Sequence, residues 1–484
     1  KEALIINGNG TLNVNAGYRN GIKSTDDCII VSGTLNITST EDGIIGKDLC
    51  GIVAGDININ AGSDGIKSTY DTDTTKGNVI IEGGNITIKA SNDGIQAENI
   101  LVINDGTINI KTNNGAADTT QTHIDNMDMG RGGFGFNNNK TTTTTDDTSE
   151  SRKGIKAGNM LIINDGDITI DSDDDSVHCN SVIYIYGGTI NAATGDDGVH
   201  ADDLLTVNGG TINITQCYEG LEADDIVIND GDISVVSSDD GINSSDGSIT
   251  INGGNLLINA SGDGLDANGS IIINGGYIVV LGPTSDGDTA IDYDDSCTIN
   301  GGTVMAFGSS GMLEIPKGAS NGACIVTAFT SVSGGSRYTL SDSNGNEILS
   351  YTPSKAYAAA IVYSDKITTG NTYDITAGST TLSIEVTSDV TSNVSSGLGK
   401  AGGMNKPGNG GSGMHNNGSS DNGMNGNSNG SMPDMSGNGA PDMNGNSSGD
   451  MPSMGGNSSN NSGNMPNMNN GSSNGNAPQM NNRM

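Results

Sequence analysis

The chain has 484 residues, 57 acidic and 20 basic, for a formal net charge of −37. So negative a chain repels phosphate, which argues against a nucleic-acid partner, and divalent cations are its natural counter-charge. Tryptophan is absent and there are 4 phenylalanines; the core must be small and aliphatic, and no run approaches the ~18 apolar residues of a membrane span.

The opening, Lys1-Glu2-Ala3-Leu4, enters a repeat at once, as expected of a mature secreted or cell-surface chain whose signal peptide has been removed. The phrase Asp-Gly-Ile-x-Ala/Ser then recurs. Its glycine falls at Gly21, Gly43, Gly65, Gly94, Gly154, Gly198, Gly220, Gly241 and Gly264, with Ser176 in its place once. Most steps are 22 residues. A period of this length marks a solenoid, propeller or array; it is too short for a propeller blade and fits one coil of a parallel β-helix. Within a unit such as Leu101–Ile110, apolar and polar residues alternate as in strands. An Asn-Gly or Asn-Asp-Gly turn separates two strands, because Asn and Gly tolerate positive φ. A third strand is the Gly-Ile-x-Ala piece, whose first and third residues after the glycine point inward. Stacking aligns Asn104, Asn164, Asn208, Asn229, Asn252, Asn274 and Asn300, with Tyr186 as the exception. Their amides are spaced for a scaffold ladder at about 4.8 Å. The fold class is all-β: a parallel β-helix over 1–315, of about twelve coils of ~22 residues, with a small C-terminal β-domain and a disordered tail.

The 60-residue step between Gly94 and Gly154 holds an insertion at 112–152, read as a side loop. The six cysteines suit small buried core positions. Cys28 and Cys50 share one column, which leaves a coil-to-coil disulfide open on distance but poor in geometry. After Ile315 the repeat stops. Residues 316–390 read as a small β-domain covering the solenoid end. From 395 to 484 the chain is rich in Gly, Asn, Ser, Met and Pro, with 12 of the 17 methionines. It cannot bury a core and reads as a spacer or surface tether on a monomer.

Charge concentrates at the Gly-Ile-x-Ala corner from the sixth coil onward. Asp174, Asp175, Asp196, Asp197, Glu219, Asp239, Asp240 and Asp263 lie before it, Glu222 and Asp266 take the x position, and Asp202, Asp203, Asp224 and Asp225 follow. Equivalent carboxylates one coil apart repel by roughly 0.8–3 kcal/mol per pair. A hard divalent cation relieves this, and Ca²⁺ accepts six to eight oxygens in flexible geometry. The competing reading is a solvated acidic face; the fixed register favours metal. The x column runs from Lys23, Lys67 and Lys156 through His178 and His200 to Glu222, and the two histidines lie one coil apart, within reach of a shared transition metal with Asp197 or Glu222.

The corners such as Asp93–Ala97 and Asp197–Ala201, the turns such as Asn208–Ile214 and the segment Ser354–Tyr357 resemble secreted clostridial carbohydrate-binding β-helix proteins, which are similar to family nine polysaccharide lyases. The resemblance covers about residues 3–385. It implies a right-handed parallel β-helix, bound calcium, and binding of plant cell-wall polymers such as cellulose and polygalacturonate. In lyase relatives a calcium ion acidifies the proton beside a uronate carboxylate and a lysine removes it. Lys156 is the candidate here, at the edge of the acidic cluster rather than within it.

Three functions follow: a secreted, calcium-bound polysaccharide-binding protein without catalysis; a calcium-dependent pectate lyase; or a structural surface rod or adhesin. Glycan stacking falls to Tyr184, Tyr186, Tyr218 and Tyr293, taken as facing outward.

Overall fold

The computed structural model describes residues 2–117 and 151–394. Most of the insertion and the whole tail from 395 lie outside the described residues. The solenoid is all parallel β, with about 13 coils against the twelve counted from sequence. Among the described residues the only helical element is a 3-10 turn at Gly115–Ala117.

One coil shows how the sequence winds. The strands Ile95–Ala97, Ile100–Ile103 and Thr107–Thr112 follow one another. Gly106 makes the last turn with φ of 125°, a conformation that favours glycine. The first and second strands of successive coils merge into one 22-stranded sheet, because Val199–Val207 and Leu221–Ile228 run through both positions. Twelve third strands, with three C-terminal strands added at one end, build a 15-stranded sheet. Register is kept from coil to coil: Ile95 pairs with Ile155, Ile155 with Val177 and Val177 with Val199. This inward column is therefore aliphatic throughout, and these four residues are fully buried. Fully burying such a side chain contributes about 1.5–3 kcal/mol, so a thin aliphatic column suffices without tryptophan.

The asparagine ladder forms outside. Nδ2 of Asn164 donates to Asn104 at 2.7 Å, Asn229 to Asn208 at 2.9 Å, Asn252 to Asn229 at 2.8 Å, Asn274 to Asn252 at 2.8 Å and Asn300 to Asn274 at 3.0 Å. Six free, buried cysteines fill core positions, and Cys28 and Cys50 are register partners without a disulfide.

The corner glycine is set by packing. A Cβ on Gly94 would lie 2.4 Å from Ile110 Cγ2 and 2.5 Å from the Gly154 carbonyl oxygen. Similar clashes with an Ile or Val of the third strand arise at Gly43, Gly154, Gly198 and Gly264. Where Ser176 replaces the glycine, the register puts Ala192 where the neighbouring coils have Ile170 and Ile214. Ala290 is matched in the same way: Ala306 stands where the previous coil has Val280.

After 316 the strands divide: Tyr338–Asp342, Glu347–Tyr351, Thr372–Ala377 and Thr380–Glu385 form a four-stranded antiparallel sheet of their own, while others extend the solenoid. Tyr357–Ser364 pairs antiparallel with the last third strand, Thr303–Gly308, and then with Ala323–Val332. The 15-stranded sheet thus continues past the solenoid. Val279, Leu281, Met305 and Phe307 of that sheet share a second core with Tyr338, Leu340, Tyr357 and Ile375. The ring of Phe307 lies 5.4 Å from Tyr338 and 5.1 Å from Tyr357, edge-to-face contacts that favour a fixed arrangement.

Replacing Gly94 with Ala is expected to destabilise the protein by about 1–3 kcal/mol, the usual cost of overpacking. Ile110→Ala should cost less in the Gly94→Ala background than in the wild type, because one of the two clashes is removed. Thermal melts of both single variants and the double variant check this; strictly additive losses would refute the packing account.

Candidate functional site

The corner aspartate first serves the backbone. Oδ1 of Asp64 accepts the amide of Asp93 at 3.0 Å, Asp175 that of Asp197 at 3.1 Å, Asp197 that of Glu219 at 3.1 Å, and Asp240 that of Asp263 at 2.6 Å. Asp263 does the same for Thr289. Each carboxylate binds the N–H one coil on through one oxygen and keeps the other for solvent or a cation. Their register, read from sequence as a sign of metal, thus has a scaffold cause as well.

What faces the second oxygen changes along the rod. Lys67 Nζ lies 2.7 Å from Asp64 Oδ2. Lys153 occupies the corner column itself, before Gly154, and reaches Asp174 Oδ1 at 2.9 Å and Asp175 Oδ2 at 2.5 Å. Burial opposes its charge, but the two carboxylates outweigh that and hold its ammonium well above the ordinary lysine range. Such a lysine is a counter-ion; a base must give up its proton. Sequence reading missed Lys153, although a lysine in a column of Asp42, Asp64, Asp93, Asp175 and Asp197 was the available signal. Lys156, the sequence candidate for a base, contacts Ser151 Oγ at 3.2 Å.

Past Lys153 the described cations give way to histidines and acids. Asp174, Asp175 and Asp196 bring ligand oxygens within 4.8 Å of one another, as do Asp240, Asp263 and Asp266. Two further groups include imidazole: Asp175 with His178 and His200, and Asp197 with His200 and Glu222. These clusters have donor sets that fit a divalent metal ion. Asp239 flanks the second all-oxygen group, and Glu219 Oε2 accepts from Asn243 at 2.9 Å. Asp203 accepts from Ser181 Oγ at 2.7 Å, Asp224 from Ser245 Oγ at 3.2 Å and Asp225 from the Ser248 amide at 2.9 Å. Asp202, Asp203 and Asp225 are exposed, and none of these four following residues joins a group of three ligands.

Burial, reinforced by neighbouring carboxylates, pushes Asp196 up to about 8, Glu219 to about 9, Glu222 to about 8, Asp240 to about 8 and Asp263 to about 9. Asp175 goes the other way: burial raises it, but Lys153, His178 and His200 together hold it well below the usual carboxylate range. Burial lowers His200, yet its bond to Asp197 and the charges of Asp175 and Glu222 carry it to about 10.

The tyrosines divide. Tyr184 and Tyr186 stack with centroids 6.4 Å apart and planes at 24°, and Tyr186 is 53 % exposed. Tyr218 is half-buried beside Glu219. Tyr293 corrects the expectation of an outward ring: it pairs with Ala267 at the inward position, is 6 % exposed, and donates its hydroxyl to the Ile315 carbonyl at 2.6 Å. The alternation rule applied to Asp292-Tyr293 already pointed it inward.

A family model described as carbohydrate-binding domain-containing protein matches residues 1–198 and again 196–429. No curated protein and no solved structure matches the chain.

The raised carboxyls bind protons more tightly folded than unfolded, with ordinary values of 3.8 for Asp and 4.5 for Glu. Between about pH 4 and 9 the metal-free folded state therefore holds more protons, and stability falls as pH rises. His200 adds to the same trend between 6.5 and about 10. With chelator present, the melting temperature should drop from pH 5 to pH 9, and millimolar divalent cation should flatten the decline. A chelated protein whose melting temperature rises across that range would contradict the assigned shifts.

Proposed function

The chain belongs to the carbohydrate-binding domain-containing protein family, and from that membership we propose that it is a secreted or cell-surface protein that binds acidic plant cell-wall polysaccharide through calcium held on the corner ridge. Polysaccharide is the partner the family points to. The observation that carries the finer reading is the all-oxygen group Asp240, Asp263 and Asp266. Oxygen-only donors suit a hard cation, and Ca²⁺ leaves coordination positions for ligands beyond the protein's own. A uronate carboxylate is the right chemistry for such a position, so one ion joins an acidic polymer to an acidic protein. The raised values of Asp240 and Asp263 express the same pressure: without a cation these groups keep protons.

The stacked pair Tyr184 and Tyr186 supports a second mode. Sugar rings present C–H faces that pack on aromatic rings, and Tyr186 stands exposed where neighbouring coils carry the asparagine ladder. Neutral glucan such as cellulose is assigned to this pair, with weaker binding than the uronate polymer.

Binding is tested by calorimetry on polygalacturonate and by retention on insoluble cellulose, each with calcium and with chelator. Uronate binding should fall at least tenfold with chelator and in the Asp240→Asn/Asp263→Asn double variant. Asparagine keeps an acceptor oxygen for the next coil's amide while removing the charge. Tyr184→Ala with Tyr186→Ala should lower cellulose retention and leave uronate binding intact. Uronate affinity that survives chelation unchanged would sink the bridging role.

A further inference from the structure

We propose that His178 and His200, with Asp175, form a second metal site of different chemistry, one that takes a borderline divalent transition metal such as Zn²⁺ rather than calcium. The two histidines are register partners in the x column, and their ring centroids are 4.9 Å apart. One nitrogen of each and an oxygen of Asp175 lie within 4.8 Å of one another. Imidazole nitrogen with carboxylate is a donor set for zinc, copper or nickel, whereas calcium and magnesium take oxygen.

His178 is placed as a metal-bound imidazole would be. The residue is 9 % exposed. Its Nε2 lies 2.9 Å from Asn180 Oδ1, and an amide oxygen only accepts, so Nε2 carries a proton. Nδ1 is buried and faces Asp175 Oδ2 at 2.8 Å. A ring proton makes that contact an ion pair, and a metal ion takes the place of that proton when it binds. An oxygen holding the distal N–H of a histidine is also the usual outer support of a metal-bound imidazole. His200 Nδ1 faces the same oxygen at 3.9 Å, with Glu222 Oε2 at 3.1 Å and Asp197 Oδ2 at 3.2 Å as further donors at hand. Lys153 also touches Asp175 Oδ2, but it has Asp174 Oδ1 as an alternative partner, so metal entry need not leave its ammonium unpaired.

The site does not depend on the calcium reading, and its test is separate. The full chain is stripped with chelator and titrated with Co²⁺, whose visible absorption reports nitrogen ligation, and then with Zn²⁺ in competition against a chromophoric chelator. One equivalent should bind with the Co²⁺ band developing, and millimolar Ca²⁺ should not displace it. His178→Gln and His200→Gln should each weaken Zn²⁺ at least tenfold. Asn180→Ala, at an exposed position, should weaken it about tenfold through loss of the outer support. Asp263→Asn should leave the Co²⁺ band unchanged. Melting curves of every variant show that it is folded, and Asn180→Ala remains informative if a histidine variant is not. Equal Zn²⁺ affinity in the wild type and in folded histidine variants, or full displacement by millimolar Ca²⁺, would overturn the proposal.

Discussion

Everything in this solenoid depends on hydrogen bonding between successive coils in a register that is held along the rod and shifts at bulges after Ala192, Ala201 and Ile214. Because Ile95, Ile155, Val177 and Val199 stand directly over one another, any residue type placed once is placed again a few ångströms on. Repetition makes an aliphatic column into a core and surface amides into a ladder. It also brings carboxylates together whether or not their charges favour it. The corner aspartate shows the compromise: one oxygen holds the next coil's amide, and the other is left in a row of like charges.

The rod resolves that row differently along its length. Early coils use lysine, at Lys67 and then at Lys153. The middle coils place imidazole beside acid, at His178 and His200. Later coils offer carboxylate alone, at Asp240, Asp263 and Asp266. Protein cation, imidazole and bare oxygen form a graded series of donor sets on one scaffold.

Most of the architecture was legible in the sequence because strand alternation and turn residues act locally. The three strands per coil, the Asn104-to-Asn300 ladder and the inward Ile and Ala columns all follow from periods of two and about twenty-two. What escaped depends on contacts between coils or on one atom rather than another. The amide capping by Asp64 and Asp197 needs the actual spacing of the coils. The role of Lys153 rests on contacts to Asp174 and Asp175 in the next coil, which strand alternation does not encode. Tyr293 was misjudged by residue type: an aromatic was given to the surface although its parity in the strand assigned it to the interior. The antiparallel continuation through Tyr357–Ser364 lies where the repeat, and with it the periodic signal, ends.

The matched pairs Ser176 with Ala192 and Ala290 with Ala306 have a consequence for how such a repeat drifts. A corner that gains a Cβ survives when the partner sixteen positions later in the same coil loses its branch, as 192 − 176 and 306 − 290 both give. Coupled change therefore runs along a coil, while the hydrogen bonds run across coils. The branch is traded within one coil, but the added Cβ also faces the next coil's carbonyl oxygen, as at Gly94 and Gly154, so the neighbouring backbone must give as well. A residue inserted between the two positions is more disruptive than a substitution at either, because it moves the wrong side chain under the corner.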